Sequence, residues 1–292
     1  MSALAAPPGE LAAFEADQAW RSTMARTATP HEGCFESDYP VTQWKEVSCG
    51  DAPADPFGQP ALADPAVVGG QNDYAAVASS GLLSMAIGSF PRVALDEIPQ
   101  DFSLQVNSNF MKTSVCGRNS KCRTWQQFVY SSRAAEAFMQ YWLIDYGSAC
   151  PAGWHAFKGS CYVNSQAVRI PRFRITALAD IALSGSTDGV DDTLVFALGQ
   201  RAYAVSHRDD MLFLTTAWQQ AEFNVFGDCC SNHLQFAPGT SLDVQVEVDD
   251  GGTVAPACLG RGGTTGETNN LTLGACVGSG GRKPRIRFSE SN

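Results

Sequence analysis

Short runs of alternating apolar and polar residues cover most of the chain, and Gly, Asn, Asp, Ser and Pro separate them. The clearest are FSLQVN at 102–107 and LDVQVEVD at 242–249. Successive side chains of a strand point to opposite faces, so each run predicts a strand with one apolar and one polar face. The predicted strands cover residues 75–79, 82–88, 102–107, 125–130, 137–145, 167–169, 175–184, 193–198, 201–207, 222–226, 233–236, 241–249, 268–273 and 285–288.

So many strands predict an all-β fold. One open sheet of that width would curl or split, so we expect a two-sheet antiparallel β-sandwich. Residues 210–221 are the one later stretch that we predict to be helical, because their pattern does not alternate.

The first 68 residues have a different pattern. Residues 10–26 are rich in helix formers and place Leu11, Phe14 and Trp20 on one face, which predicts a short amphipathic helix. Five prolines between positions 40 and 65 then favour an extended segment. We therefore divide the chain into an N-terminal arm or pro-segment, 1–68, and a β-sandwich domain, 69–292. The arm either decorates the main domain or covers a cleft.

Composition narrows the function classes. The chain has 292 residues, 44% hydrophobic and 17% charged, enough for a large folded core, and a net charge of −10. That charge repels phosphate backbones, so we expect no nucleic-acid partner. No run approaches the roughly 20 apolar residues of a membrane span. The acidic pairs 191–192 and 249–250 lie beside glycines, where we predict solvated hairpin turns rather than calcium loops.

Ten cysteines indicate an oxidised framework, because no C-x-x-C motif or zinc-finger spacing accompanies them. Neighbouring cysteines favour four disulfides, Cys34 with Cys49, Cys116 with Cys122, Cys150 with Cys161 and Cys258 with Cys276. The adjacent Cys229 and Cys230 would pair with each other or elsewhere. We predict a secreted or periplasmic protein. The first residues lack signal-peptide features, so this localisation requires that a signal was removed.

Candidate chemistry lies in polar residues within aromatic strands. G-x-S-x-G, H-E-x-x-H and phosphate-loop motifs are absent from the sequence, and its four histidines occupy no recognisable setting, so we expect no metal and no cofactor. Gln105 belongs to the polar face of 102–107, and Glu222 is flanked by apolar residues in QAEFNVFG. A sheet face with aromatic and amide groups suits an extended chain. The substrate-binding candidates are Trp125, Gln127, Tyr141 and Trp142.

The order of four segments resembles the glutamic peptidases of the eqolisin family. These segments are YAAV followed by GSFPRV, then FSLQVN, then FMQYWLIDY, then QAEFNVFG. FMQYWLIDYG with the Cys150–Cys161 loop is also similar to neprosin. The resemblance implies a concanavalin-like jelly roll, with Gln105 and Glu222 as the catalytic pair. The chain departs from the family pattern after Gln105, where Val-Asn follows, and at Phe223, where the family has tryptophan.

In the implied scheme Glu222 activates water and then protonates the leaving amine, while the Gln105 amide stabilises the oxyanion. The expected activity is acid-favoured endopeptidase cleavage of extended polypeptides. The main alternative is a carbohydrate-binding, lectin-like jelly roll in which Trp125, Tyr141 and Trp142 stack on a glycan. A glycoside hydrolase and a secreted interaction protein are further alternatives. Oligomeric state does not follow from the sequence.

Overall fold

Alternating apolar residues bring two large antiparallel sheets face to face. The computed structural model describes residues 8–57, 73–98, 100–147, 149–229, 233–260 and 268–292. The elements are α1 (Pro8–Met24), β1 (Gly33–Asp38), β2 (Lys45–Val47), β3 (Gly50–Asp51), β4 (Tyr74–Val77), β5 (Met85–Ala94), β6 (Phe102–Ser108), β7 (Arg123–Ser131), β8 (Glu136–Ile144), β9 (His155–Phe157), β10 (Ser160–Arg169), β11 (Ile181–Thr187), β12 (Asp191–Leu198), β13 (Arg201–Arg208), β14 (Gln220–Gly227), β15 (His233–Leu234), β16 (Ser241–Asp249), β17 (Ala257–Gly260), β18 (Thr268–Asn269), β19 (Thr272–Ser279) and β20 (Arg285–Ser291).

Sheet I has the strand order β19-β20-β16-β5-β11-β12-β13-β1-β2. Sheet II has the order β17-β4-β14-β6-β7-β8-β10-β3, and β9 pairs with β10 at one end. A short parallel pair, β15 with β18, accompanies them. The predicted all-β, two-sheet antiparallel sandwich with a short N-terminal helix is therefore confirmed.

The core lies between the sheets and follows the predicted alternation. Leu104 and Val106 of β6 and Val244 and Val246 of β16 are all fully buried in one cluster. Phe223 of β14 crosses to sheet I and packs on Phe90, with ring centroids 5.0 Å apart. A Cβ atom at Gly88 would overlap the ring of Phe223, so only glycine allows the sheets to approach this closely there.

The N-terminal residues join both sheets. Trp20 and Met24 of α1 pack against Ile87 and Ala197 on the outer face of sheet I, so the predicted N-terminal helix is confirmed. Phe14, which was predicted to share the apolar face, is 43% exposed. Strand β1 pairs with β13 and with β2, so it extends sheet I. Strand β3 pairs with β10 and so extends sheet II.

The predicted helix at 210–221 is wrong. Two short 3-10 turns, Asp209–Met211 and Leu214–Thr216, occupy this stretch before β14 begins. Phe213 between them has φ 53°, which a continuing helix excludes. The Asp209 carboxylate accepts the backbone N–H of Leu214 over 2.7 Å, replacing a helical hydrogen bond. Likewise, Ile175–Asp180 form a 3-10 turn rather than the first half of a strand.

The prediction of solvated acidic turns is wrong for one residue of each pair, whereas Asp191 is partly exposed and Asp249 is exposed. Asp192 is fully buried inside β12, where its carboxylate accepts a hydrogen bond from Nε2 of Gln126 on sheet II over 2.9 Å. Asp250 is buried too, and its carboxylate accepts the backbone N–H groups of Ser79 and Ser80. Both carboxylates accept hydrogen bonds from residues that are distant in the sequence.

The four predicted disulfides are confirmed. They are Cys34–Cys49, Cys116–Cys122, Cys150–Cys161 and Cys258–Cys276. Cys230 lies outside the described residues, so the pairing of the adjacent cysteines stays a prediction. Within the described part of the chain, no helix has the length and apolar character needed to cross a membrane.

Candidate active site

A row of polar side chains crosses five neighbouring strands of sheet II. Register pairs join Asn164 to Gln140, Gln140 to Gln127, Gln127 to Asn107 and Asn107 to Glu222. Directly opposed residues of antiparallel strands share a face and lie about 5 Å apart, so these five side chains form one continuous line. We call them the polar row. It follows from alternation, since the apolar residues between them on each strand face the core.

Gln105 lies beside the polar row, two residues before Asn107 on β6. Its amide oxygen accepts hydrogen bonds from Nε2 of Gln127 over 2.8 Å and from Nδ2 of Asn107 over 3.4 Å. Its amide nitrogen donates to Oγ of Ser103 over 2.8 Å, and that hydroxyl donates to the carbonyl of Gly227. Because two N–H donors hold the oxygen, the amide has one orientation, with its nitrogen as a donor.

Glu222 ends the polar row on β14. Its side chain is fully buried, and Oε2 accepts a hydrogen bond from Nδ2 of Asn107 over 3.4 Å. The same Asn107 nitrogen contacts Gln105, so one amide joins the two predicted catalytic residues. A buried carboxylate costs free energy in an interior, and such departures from ordinary core composition are typical of functional sites.

Trp142 bridges two side chains in the middle of the polar row. Its indole N–H donates to Oε1 of Gln127 over 2.8 Å and to Oε1 of Gln140 over 2.9 Å. Nε2 of Gln140 in turn donates to Oδ1 of Asn164 over 2.7 Å. The side-chain amides of three strands are thereby fixed in orientation.

The structure separates the predicted substrate-binding residues. Gln127 belongs to the polar row, and Trp125 and Trp142 are register partners on the same face. Tyr141 is on the opposite face, fully buried in the core with its hydroxyl 3.7 Å from Sδ of Met139. Tyr141 and Trp142 are consecutive in a strand, so they cannot share a face.

The aromatic side chains also offer no stacking surface. Trp125, Tyr141 and Trp142 each have 0% exposure. Trp125 and Trp142 are covered by Phe110 and Tyr162 in a separate apolar cluster. A glycan stacks on exposed ring faces, so this arrangement does not favour the lectin-like alternative.

A buried carboxyl group lies behind the site. Asn224, the register partner of Gln105, donates from Nδ2 to Oε2 of Glu290 on sheet I over 3.2 Å. Burial raises the pKa of Glu290 to about 8, although hydrogen bonds from Asn224 and Asn269 oppose this rise. This carboxyl group is therefore protonated at neutral pH.

Two further carboxyl groups have raised pKa values. Burial raises the pKa of Asp228 to about 6, against the opposing effect of Ser131 and Arg133. Burial, together with the charge of nearby Asp209, raises the pKa of Asp192 well above its ordinary value. All three groups, Glu290 included, favour the protonated form in the folded protein.

Other candidate groups lie elsewhere. Among the described residues, no cluster of three or more His, Cys, Asp or Glu side chains has the arrangement of a metal site. The histidines at 31, 155 and 233 are exposed, and His207 is half-buried. None of them belongs to the polar row.

Sequence reasoning missed three members of the polar row as site residues. Asn107, Gln140 and Asn164 were not among the predicted binding residues, although Gln140 lies two positions before Trp142 and so shares its face. Period-two alternation alone could have found Gln140. Asn164 was missed because the predicted strand covered only residues 167–169, whereas β10 begins at Ser160.

No protein-family model matches the chain, and no curated protein matches it. Among solved structures, scytalido-glutamic peptidase with a peptide-based transition state analog is similar at 13% identity and a TM-score of 0.34, covering 75% of this chain and 96% of that chain. The same peptidase with a transition state analog inhibitor gives 10% identity and a TM-score of 0.31, covering 75% and 97%.

Proposed function

We propose that the protein is an endopeptidase that hydrolyses extended polypeptides with Glu222 and Gln105, in the manner of glutamic peptidases. The observation that carries this proposal is the Asn107 side chain, which contacts both residues on the adjacent strands β6 and β14. It brings a carboxylate and an amide group together on one sheet face, with the Gln105 amide oxygen toward Asn107 and the amide nitrogen toward Ser103. The sequence motifs that resemble the eqolisin family supply the same two residues.

In the proposed reaction the Glu222 carboxylate removes a proton from water as the water oxygen attacks the scissile carbonyl carbon. The carbonyl π electrons move to oxygen, and the Gln105 amide nitrogen donates a hydrogen bond to that oxyanion. When the carbonyl re-forms, the C–N bond breaks and protonated Glu222 gives its proton to the leaving amine. One water is consumed, and the products are a carboxylic acid and an amine.

The polar row supports a polypeptide substrate. Its side-chain amides, on Asn164, Gln140 and Gln127, cross the strands toward Glu222. Amide groups both donate and accept, so such a row fits the alternating N–H and C=O groups of an extended backbone. The site would therefore bind main chain along the row and place one peptide bond at Glu222.

Acidic working conditions are supported by the buried carboxyl groups. Asp228 and Glu290 have pKa values of about 6 and about 8, so folding binds protons between acid and neutral pH. The folded state is therefore more stable at acid pH than at neutral pH. Four disulfides support a secreted or periplasmic location, because they persist in oxidising compartments.

The test is a pH series from about 2 to 8 with an unfolded protein as substrate and mass spectrometry of the products. Wild type, Glu222→Gln and Gln105→Ala are compared at equal concentration after circular dichroism shows that each is folded. Glu136→Gln is the matched control, since Glu136 is a partly buried carboxyl group on β8, three strands away from the strand of Glu222.

Cleavage by wild type and Glu136→Gln, with none by Glu222→Gln, is the expected result. Gln105→Ala should lose about 100-fold or more in kcat, the usual effect of removing one oxyanion donor. A folded Glu222→Gln variant with wild-type activity would rule out the mechanism.

A further inference from the structure

A segment of the chain itself lies across the outer face of sheet II. Three successive carbonyl groups, those of residues 53–55, accept hydrogen bonds from Asn164, Tyr162 and Gln140 over 2.6, 2.7 and 3.1 Å. Gln140 also accepts the backbone N–H of Phe57 over 2.7 Å. Two members of the polar row therefore already bind the main chain of this segment.

The segment ends in an apolar pocket. Phe57 is fully buried against Val129 of β7, Phe138 of β8 and Ala167 of β10, with the rings of Phe57 and Phe138 5.4 Å apart. Val129 is the direct register partner of Gln105, so the pocket wall adjoins the candidate catalytic amide. We call this the Phe57 pocket.

The composition of the segment suits this role. Pro53 and Pro56 have no amide hydrogen, so carbonyl groups supply most of the main-chain hydrogen bonds of the segment, and the Asp55 carboxylate adds one from Arg133. Gln140 and Asn164 meet these carbonyls with side-chain N–H groups. Sequence-independent contacts hold the main chain, while a single side chain enters a shaped pocket.

We propose that residues 53–57 occupy the face as a polypeptide substrate does, and that the Phe57 pocket is a substrate subsite for a large apolar side chain. This inference deepens the proposed function and rests on it. The main-chain contacts to Asn164 and Gln140 would be general to substrates, and the pocket would give the specificity. Productive binding requires the segment to leave, because Phe57 fills the pocket and the carbonyl groups of residues 53–55 occupy the side chains of Asn164, Tyr162 and Gln140.

Strand spacing locates the subsite relative to the scissile bond. The pocket lies between β7 and β8, and Gln105 and Glu222 lie on β6 and β14, two strand spacings away or about 10 Å. An extended chain covers this distance in about three residues. Residues 53–57 run from β10 toward β6, so a substrate with the same direction would carry its apolar side chain about three residues before the cleaved bond.

The first experiment measures binding without cleavage. All proteins are full-length chains that carry Glu222→Gln, so the probe stays intact. The probe is a fluorescently labelled hexapeptide with the sequence of residues 52–57, APADPF, and a second probe ends in alanine instead of phenylalanine. Anisotropy titrations compare Phe57→Ala with the chain that keeps Phe57. Phe14→Ala is the matched control, because Phe14 is 43% exposed on α1.

Phe57→Ala is expected to bind the phenylalanine probe at least about tenfold more tightly than the chain with Phe57, because a tethered segment competes at high effective concentration. It should bind the alanine probe at least about tenfold more weakly than the phenylalanine probe. Hydrogen exchange should rise over residues 52–57 in Phe57→Ala alone. Equal binding of the two probes, no binding, or unchanged exchange over this segment would overturn the inference.

The product termini from the active chain separate the two proposals. Enrichment of Phe, Leu, Met or Tyr about three residues before the cut is expected. Hydrolysis without that enrichment would reject the subsite and leave the peptidase proposal standing. Phenylalanine-dependent binding without hydrolysis at any pH would reject the peptidase and leave a polypeptide-binding face.

Discussion

Asn107 on β6 lies directly opposite Glu222 on β14, and its side-chain nitrogen donates to the Glu222 carboxylate over 3.4 Å. Asn107→Asp would place a second carboxylate in that position. Two adjacent carboxylates resist being ionised together, so the pair keeps one proton up to a higher pH than a single carboxylate does. We expect kcat/KM of the variant for the proposed hydrolysis to acquire an ionisation about 1 pH unit or more above the one that limits wild type. Peptide hydrolysis from pH 2 to 8 measures this ionisation.

Asn107→Ala is the comparison variant for that profile. It removes the contact without adding charge, so it should lower kcat by roughly 10–100-fold through loss of positioning and leave the ionisation that limits wild type in place. Identical pH profiles for Asn107→Asp and wild type would show that position 107 does not act on the carboxylate.

Glu290→Gln should stabilise the protein at neutral pH. The folded pKa of about 8 exceeds the ordinary value of 4.5, so the stability from the protonated form is complete below about pH 4.5 and is lost as pH rises through 8. Glutamine keeps the shape without ionising. We expect the free energy of unfolding of the variant to exceed that of wild type by roughly 3–6 kcal/mol at pH 9 and to match it within about 1 kcal/mol at pH 4.

Urea unfolding at pH 4, 7 and 9 measures this difference. Asp243→Asn on β16 is the control, because that carboxyl group is partly exposed and pairs with Arg92. A Glu290→Gln variant whose stability falls with pH as steeply as that of wild type would mean that Glu290 is not the group that titrates.

Gly88→Ala should destabilise the sandwich behind the candidate active site. The added Cβ would overlap the Phe223 ring, and Phe223 is the residue next to Glu222. Overpacking of this kind costs about 1–3 kcal/mol. Gly50→Ala is the matched control, since a Cβ there meets only ordinary contacts at 3.7 Å. Thermal unfolding of both variants tests the difference, and equal melting temperatures would contradict the close approach of the sheets.

Removal of the Cys34–Cys49 disulfide should loosen the segment that lies over sheet II. Cys49 directly precedes β3, and the bond spans 15 residues. The Cys34→Ala/Cys49→Ala variant should lose about 3 kcal/mol of stability and exchange amide hydrogens faster over residues 50–57.

The Cys258–Cys276 disulfide spans 18 residues on the opposite side of the molecule and provides the control. Cys258→Ala/Cys276→Ala should lose a similar free energy without faster exchange over 50–57. Equal acceleration in both variants would indicate a global effect rather than a local tether.

Local alternation was sufficient to predict much of the fold. Residues 102–107 and 242–249 became strands with the expected apolar faces, and neighbouring cysteines paired as predicted. The failures share a physical cause. The sequence around Asp192 is typical of a turn, but the residue is buried in a strand because it contacts Gln126 of the other sheet. The 210–221 pattern is typical of a helix, but the Asp209 side chain accepts a backbone N–H there instead.

The candidate site was only partly predictable for the same reason. Gln105 and Glu222 came from motif resemblance, and neither periodicity nor spacing could supply the register that sets Asn107 opposite Glu222. Alternation alone could have shown two things: Gln140 shares a face with Trp142, and one of the consecutive residues Tyr141 and Trp142 must face the core. The register between strands that are distant in the sequence can be read only from the folded sheet.

Strands β6 and β14 are neighbours in sheet II, although more than a hundred residues separate Asn107 from its partner Glu222. Closing so long a loop is entropically costly, and such contacts form slowly. During synthesis the first half of the candidate site leaves the ribosome well before the second, and no fragment that ends before residue 222 contains both. A peptidase built this way would be inert toward its own nascent chain, because the catalytic pair exists only once the last half of the sandwich has joined the first.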